Sequence, residues 1–381
     1  MKRIYQITFI LLMFFALIAC SSEESINNDK IPILDLEPMK DQFNGFFLIG
    51  NIYSNSDTIS GTGTINNQML THHFNAITAE NLMKPQYMSS AQNSYNWTSA
   101  DNFVNAANNS DFKVIGHTLL WHSQNAGWMN SMASTSAATA RTAMEKYITD
   151  VVTHFKGKIY SWDVLNEVFP DSVKASDNWR NVMRQENPWF KAIGSDFVYE
   201  GFLAARKADP NAILYYNDYN TDQVGKATMI RNMVREVNEK YLASSDKPSG
   251  EAAGRLLIEG IGMQEHHNLG VSASSVRSTV NMFRPLGVKL SVSELDVLAQ
   301  TWGDYSSNKT VTSGGLSSQA TKYYEYFKVY LDNADIIERV SFWGVTDNQS
   351  WRARGQPLLF DSSGMTKAAY HAVIQALNQY K

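Results

Sequence analysis

The sequence predicts a single (β/α)8 barrel, and three observations carry that prediction. Short runs of strand character recur eight times between residues 46 and 347. The intervals between them are long enough for a crossover helix, and several show helical spacing. Several of the runs are close to continuously apolar, as strands covered on both faces must be. An open doubly wound sheet usually has fewer strands, and no repeat of roughly 20 to 50 residues points to a solenoid or propeller. The composition agrees: 381 residues, 18% charged and 12% aromatic, with nine Trp, 18 Tyr and 18 Phe, can build a large core.

Taken in order, residues 1–19 read as a lipoprotein signal peptide. Lys2 and Arg3 precede an apolar stretch that closes on Leu17-Ile18-Ala19-Cys20. That ending resembles a bacterial lipobox, which is cut before the cysteine that then carries the lipid. The apolar run is short of the ~20 residues a membrane span needs. Cys20 is the only cysteine, which excludes disulfides, cysteine nucleophiles and cysteine-based metal sites. Residues 20–40 are polar, with Glu23, Glu24 and two prolines and no sustained periodicity, and are expected to be a flexible tether. The expected location is a bacterial membrane, the outer one, reached through lipidated Cys20, with exposure at the cell surface; the alternative is a periplasmic or secreted protein. Residues 41–381 are assigned to the barrel.

The eight runs are FFLIGNIY (46–53), FNAITAE (74–80), KVIGHTLLW (113–121), KIYSWDVLNE (158–167), AILYYNDYN (212–220), LLIEGIGMQEH (256–266), VKLSVSELDV (288–297) and RVSFWGVTD (339–347). Helical patterns lie between them at 137–158, 195–210 and 274–287, and Pro210 and Gly287 stand where the last two should stop. Two Ser/Thr/Gly-rich stretches, 56–68 and 303–318, are expected to be insertions in loops over the C-terminal face of the barrel, where active sites sit.

The 33 Lys and Arg against 37 Asp and Glu give a formal charge of −4, and no basic run follows the third residue, so phosphate-backbone binding is excluded. Polar residues collect instead at the ends of the runs: Glu80, Asn81 and Lys84; His117, Trp121 and His122; Asn166 and Glu167; Asn217 to Asn220; Gln264 to His266; Glu294 and Asp296; Trp343, Asp347 and Trp351. In a barrel they converge on one rim. Glu167 and Glu294 end the fourth and seventh strands, on opposite sides of an eight-membered ring. Cleaving a glycosidic bond needs two such carboxyls, about 5 to 5.5 Å apart for retention and about 6.5 to 9.5 Å for inversion. Flat Trp and Tyr faces suit sugar rings, and Asn, Gln, Lys and His suit their hydroxyls.

The segments FNAITAENLMK, GHTLLWHSQ, WDVLNE, YYNDYN, GIGMQEH, SVSELDV and FWGVTDNQSW, in that order, resemble glycoside hydrolase family 10, the retaining endo-β-1,4-xylanases. The resemblance covers residues 40–378. It implies Glu167 as general acid/base and Glu294 as nucleophile, with Asn166 on the sugar 2-hydroxyl and His266, backed by Asp296, holding the nucleophile ionised. It also implies Glu80, Asn81, Lys84, His117, Trp121, Gln124 and Gln264 around the glycone, Trp343 and Trp351 closing over it, and Tyr219 on the aglycone side. The chain departs from the family at Pro85 to Met88, in the SQNAGW segment (123–128), which lacks the usual proline, and at Ser293, where Thr is usual.

No cofactor is expected. Neither His72-His73, His117 with His122, nor His266-His267 has the HExxH spacing of a zinc hydrolase. The expected partner is xylan or a xylo-oligosaccharide bound by a monomer, with no nucleic acid. The alternatives are a family member acting on β-1,4-glucan and, from another class, a surface lipoprotein that binds glycan without cutting it.

Overall fold

The computed structural model describes residues 26–381 except 55, 56, 60 and 63. The signal peptide and Cys20 lie outside the described residues. Eight parallel strands close a ring among the described residues: β1 (Leu48–Tyr53), β2 (Ala76–Ala79), β3 (Lys113–Leu120), β4 (Ser161–Asn166), β5 (Ile213–Asp218), β6 (Gly260–Met263), β7 (Lys289–Val297) and β8 (Ile337–Phe342). Each pairs with its sequence neighbours, and β8 returns to β1 with Ile49 opposite Val340. The strands are almost entirely buried, as their continuous apolar patterns require. Where two face the same layer, one gives way: a Cβ on Gly116 would sit 2.2 Å from the Trp162 ring, so only glycine lets that indole fill the interior.

Helices α1 (Ile65–His73), α2 (Thr98–Asn109), α3 (Ala137–His154), α4 (Asp196–Ala208), α5 (Val224–Ala243), α6 (Ala273–Phe283), α7 (Ser313–Leu331) and α8 (Ala368–Leu377) follow the strands in turn. Side chains of Thr64, Ser136, Ser272 and Thr312 cap α1, α3, α6 and α7 by accepting from a backbone N–H three residues on. As expected, α4 stops two residues before Pro210, and the turn after α6 ends at Gly287 in the left-handed region (φ 69°).

Two expectations change. The stretch 303–318 is not one long loop: Trp302–Ser306 is a short helix and Ser313 already begins α7, because the Thr312 cap outweighs the weak helix propensity of its Ser and Gly residues. The stretch 56–68 likewise ends in α1, and Asp57 is buried, its carboxylate accepting from Ser54 N at 2.7 Å.

The segment expected as tether is also not free along its length. From Asp29 onward it is held against the turn before α8. Thr366 N donates to Ile31 O and Ile33 N to Gly364 O, both at 3.0 Å, and Lys30 pairs with Asp361 at 2.9 Å. Ile33 and Met39 are fully buried. His73 clamps the segment: its Nδ1 accepts from Met39 N at 3.2 Å and its Nε2–H donates to Ile33 O at 2.8 Å. This arrangement needs a neutral ring, and burial, aided by neighbouring His72 and Lys40, lowers the His73 pKa from 6.5 to about 4.

Between those two values the unfolded chain binds a proton that the folded one refuses. Stability from neutral His73 is therefore complete above pH 6.5 and declines as the pH falls to about 4. The loss approaches ~3 kcal/mol only once the folded ring is protonated too, below about pH 4. Thermal unfolding followed between pH 7 and 4 should show a steeper decline for the natural protein than for His73→Gln, and parallel declines would refute the clamp.

Candidate active site

The site is built where β4 and β7 reach the same rim. Asn166 is the last residue of β4, and Glu167 follows it in the left-handed region (φ 55°), held there by its N–H donating to Asn217 O at 2.9 Å. That turn directs the Glu167 carboxylate into the mouth of the barrel. Trp121 Nε1 donates to one oxygen at 2.9 Å and Gln264 Nε2 to the other at 2.8 Å. His122 Nδ1 stands 3.9 Å away.

Glu294 projects from β7. One oxygen accepts from Asn217 Nδ2 at 2.8 Å, and the other lies 3.1 Å from His266 Nε2. The opposite ring nitrogen of His266 is 3.0 Å from Asp296, which also accepts from Trp351 Nε1 at 3.0 Å and from Arg352. The two glutamates are linked by amides: the Asn166 side chain lies 3.0 Å from Asn217 Nδ2 and 3.2 Å from Gln264 Nε2. Ser293 Oγ donates to Asn217 Oδ1 at 2.6 Å, so the serine in place of threonine still orients that amide. Gly262 makes room for it, since a Cβ there would fall 2.2 Å from Asn217 Oδ1.

The electrostatics follow from this chain of charges. Burial alone would push the Glu294 carboxyl up, but the hydrogen bond from His266, the nearby His117, the His266 charge and the Asn217 bond outweigh it and hold the group below its ordinary value. Burial would likewise lower His266, yet Asp296 and Glu294 on either side raise it to about 9. Asp296 is lowered because His266 and Arg352 overcome its burial. At His122, burial and the neighbouring Arg184 outweigh the pull of Glu186 and Asp218 and lower it to about 4, leaving a neutral ring beside Glu167 near pH 7.

One side of the mouth carries Lys84, whose ammonium donates to Gln124 Oε1 at 2.7 Å and lies 5.0 Å from the Trp121 ring. Gln124 donates in turn to Asn81 at 3.0 Å, and Glu80 accepts from Ser54 at 2.9 Å. Burial lowers the Lys84 pKa against the pull of Glu294, Glu80 and Glu167. His117 is fixed by Asp163 at 2.9 Å, and the buried Trp343 packs edge-on against both His117 and His266. Trp351 is 61% exposed above His266. Tyr219 is set apart on the β5 side, its ring 3.5 Å from Lys226 Nζ and its hydroxyl 2.5 Å from Arg184.

The structure thus brings fourteen of the sequence-selected side chains into one connected rim, and Tyr219 into its margin. It adds Asn217, Arg352, Asp163 and Ser54, which were not selected as site residues. Asn217 was visible as the end of the fifth run, and Arg352 directly follows Trp351. Glu265 was also passed over. Its buried carboxylate accepts from Tyr330 at 3.1 Å and pairs with His267, fixing a left-handed residue (φ 58°) between Gln264 and His266. Among the described residues no group of three or more His, Cys, Asp and Glu is arranged to hold a metal ion.

Comparison with known proteins places this geometry. Residues 39–376 match the description of glycosyl hydrolase family 10. The chain is 33% identical over 364 residues to endo-1,4-beta-xylanase A of Thermotoga maritima, covering 91% of this chain but only 31% of that much longer protein. It is 31% identical over 319 residues to endo-1,4-beta-xylanase B of Paenibacillus barcinonensis, covering 81% of this chain and 90% of the relative. Among solved structures, a family 10 xylanase from termite gut that contains a bacterial Ig-like domain superimposes with a TM-score of 0.86 at 50% identity, covering 93% of this chain and 80% of that one. With its closed eight-stranded barrel and its two glutamates on facing strands, the chain belongs to glycosyl hydrolase family 10.

Proposed function

We propose that the protein is an endo-1,4-β-xylanase that hydrolyses internal bonds of xylan with retention of configuration. The observation that carries the mechanism is the unequal setting of the two glutamates. Glu294 is backed by His266 and Asp296 and kept anionic, as a nucleophile must be. On the opposite strand the Glu167 carboxylate touches no Lys or Arg among the described residues, Arg184 reaching only its backbone carbonyl at 3.0 Å. It is held by the neutral donors Trp121 and Gln264, an arrangement compatible with a carboxyl that gives up and takes back a proton.

In this reading Glu294 attacks the anomeric carbon while Glu167 protonates the departing oxygen. The resulting glycosyl-enzyme is then hydrolysed by water that Glu167 deprotonates. Asn166 lies between the two carboxylates, where it meets the 2-hydroxyl of the attacked sugar. Lys84, Asn81, Gln124, Glu80 and His117 bind hydroxyls on the glycone side, Trp343 and Trp351 close over the ring, and Tyr219 meets the aglycone. The names of several relatives support xylan as substrate. One observation favours a second reading, action on β-1,4-glucan: a relative from Acetivibrio thermocellus, 32% identical over 362 residues, is named an exoglucanase. Product analysis on xylan, arabinoxylan and carboxymethylcellulose separates the two. Short xylo-oligosaccharides from the first two alone establish the xylanase, and cello-oligosaccharides the alternative. The absence of product from any of them would favour a glycan-binding protein.

We further propose that the mature chain is a monomer anchored through lipidated Cys20 to the outer membrane of a bacterium. Cells grown with labelled fatty acid should yield labelled protein from the natural gene and none from Cys20→Ser.

Replacing Glu294 by Ala should reduce xylan hydrolysis by at least about 10⁴-fold, on the scale seen when a nucleophile is removed. Glu167→Ala should cripple xylan hydrolysis yet spare formation of the glycosyl-enzyme from aryl xylobiosides whose phenol leaves unprotonated. Because turnover of the glycosyl-enzyme still needs Glu167 as base, kcat/KM and the initial burst of phenol test the division of labour, and equal losses of kcat/KM on the two substrates would overturn it. Because His266 favours the anionic form of Glu294, His266→Asn should move the acid limb of kcat/KM to higher pH. An unmoved limb would show that the pair does not set the ionisation of the nucleophile.

A further inference from the structure

Outside the mouth, one surface feature is built from parts that the hydrolytic chemistry does not need. Trp302 opens the short helix Trp302–Ser306 after β7, where Thr301 accepts from Asp304 N at 3.2 Å and fixes the turn. Its indole is 57% exposed, close to the 61% of Trp351. Scattered single exposed apolar residues are common on proteins. Here, however, both indoles flank one cation: the Arg352 guanidinium, its side chain only 3% exposed and anchored on Asp296, stands 5.5 Å from the Trp351 ring and 5.9 Å from that of Trp302. The row continues outward. Tyr305 lies 5.8 Å from Trp302 at an interplanar angle of 33°, and Arg354 covers Tyr305 at 4.4 Å.

This row presents two kinds of recognition. The exposed indole of Trp302 offers flat apolar surface of the sort that stacks on a sugar ring, held beside the buried Arg352, with the half-buried Tyr305 carrying Arg354 on its ring next to it. Arg354 offers a charge. Its side chain donates to the Tyr305 carbonyl at 2.6 Å, and no ion pair joins it to a carboxylate among the described residues. The acidic residue in the same helix, Asp304, is committed to Lys309 at 2.5 Å. An exposed guanidinium beside an aromatic shelf is suited to a sugar that carries a carboxylate. The shelf is continuous with the mouth through Trp351, Arg352 and Asp296, so a glycan lying in the mouth reaches it.

The geometry points to Trp302, Tyr305 and Arg354 as a binding shelf for uronic acid substituents of the polymer, next to the cleavage site. The identity of the polymer rests on the xylanase reading, but the shelf itself can be tested without turnover. In the Glu294→Ala background, native gels containing glucuronoxylan should retard the protein. Trp302→Ala should weaken binding about three- to ten-fold and Arg354→Gln about ten-fold. On the same polymer with its carboxyls chemically reduced, the Arg354→Gln effect should vanish while that of Trp302→Ala persists.

Unchanged retardation in both variants overturns the shelf, as does an Arg354→Gln effect that survives carboxyl reduction. Cleavage of linear xylohexaose by the natural protein is measured separately. If xylohexaose is cut and the variants bind normally, the shelf falls and the xylanase stands. If xylohexaose is not cut and binding depends on both residues, the shelf stands and the xylanase reading falls.

Discussion

The structure of the site depends on one alternation of charge: Glu294, His266, Asp296 and Arg352 in line, negative and positive by turns. Each member is buried or nearly so, and each would be costly there without the next. Burial works against the ionised form of all three titrating groups, and their mutual contacts, aided by His117 and Asn217 at Glu294 and by Trp351 at Asp296, reverse it. The line also carries position outward. Asp296 fixes Trp351 by its indole N–H, and Arg352 supports Trp302, so one buried cation–anion series orders both the Glu294 carboxylate and the aromatic rim above it. It draws its members from β7, from the segment after β6 and from the loop after β8, and the pairing of β7 with β6 on one side and β8 on the other brings these three together.

Closure of the barrel was legible in the sequence because the physics of a doubly covered strand leaves little choice of residue. Runs such as FFLIG (46–50) and FNAITA (74–79) are close to continuously apolar, and a polar cluster follows where most runs reach the rim. That is why Glu167 and Glu294 could be selected from the chain alone. Asn217 was harder to assign. It stands inside a polar cluster, and only the pairing of β4 with β5, Asn166 opposite Asn217, shows that its amide joins the two glutamates. Arg352 gave no signal, since its importance comes from a carboxylate 56 residues away in sequence. The docking of residues 29–40 was hidden for a related reason: Ile31, Ile33, Leu34, Leu36 and Met39 follow no sustained period, and the burial of Ile33 and Met39 is decided by the contacts they meet beside His73.

The two histidine environments show how the same side chain is turned to opposite ends. His73 and His266 both lie in the interior, and burial penalises the charge of both. His73 meets a backbone N–H at one nitrogen and a carbonyl at the other, a pair that only a neutral ring satisfies. His266 meets a carboxylate at each nitrogen, which a doubly protonated ring satisfies best. The difference in hydrogen-bonding partners, more than the depth of burial, places one near 4 and the other near 9.

The same contrast bears on the proposed division between the glutamates. A carboxylate kept anionic through a whole reaction is best served by a permanent cation, whereas one that changes protonation twice per turnover would be hindered by it. A cation in contact with Glu167 would favour its ionised form and weaken it as an acid. The neutral imidazole of His122, lowered to about 4 by burial, avoids this penalty while filling the space beside Glu167. His266 therefore has to reach Glu294 without touching Glu167. The intervening amides of Asn166, Asn217 and Gln264, which carry no net charge, connect the two carboxylates while leaving the settings distinct. For a double displacement, this neutral bridge is as necessary as the charged line behind it.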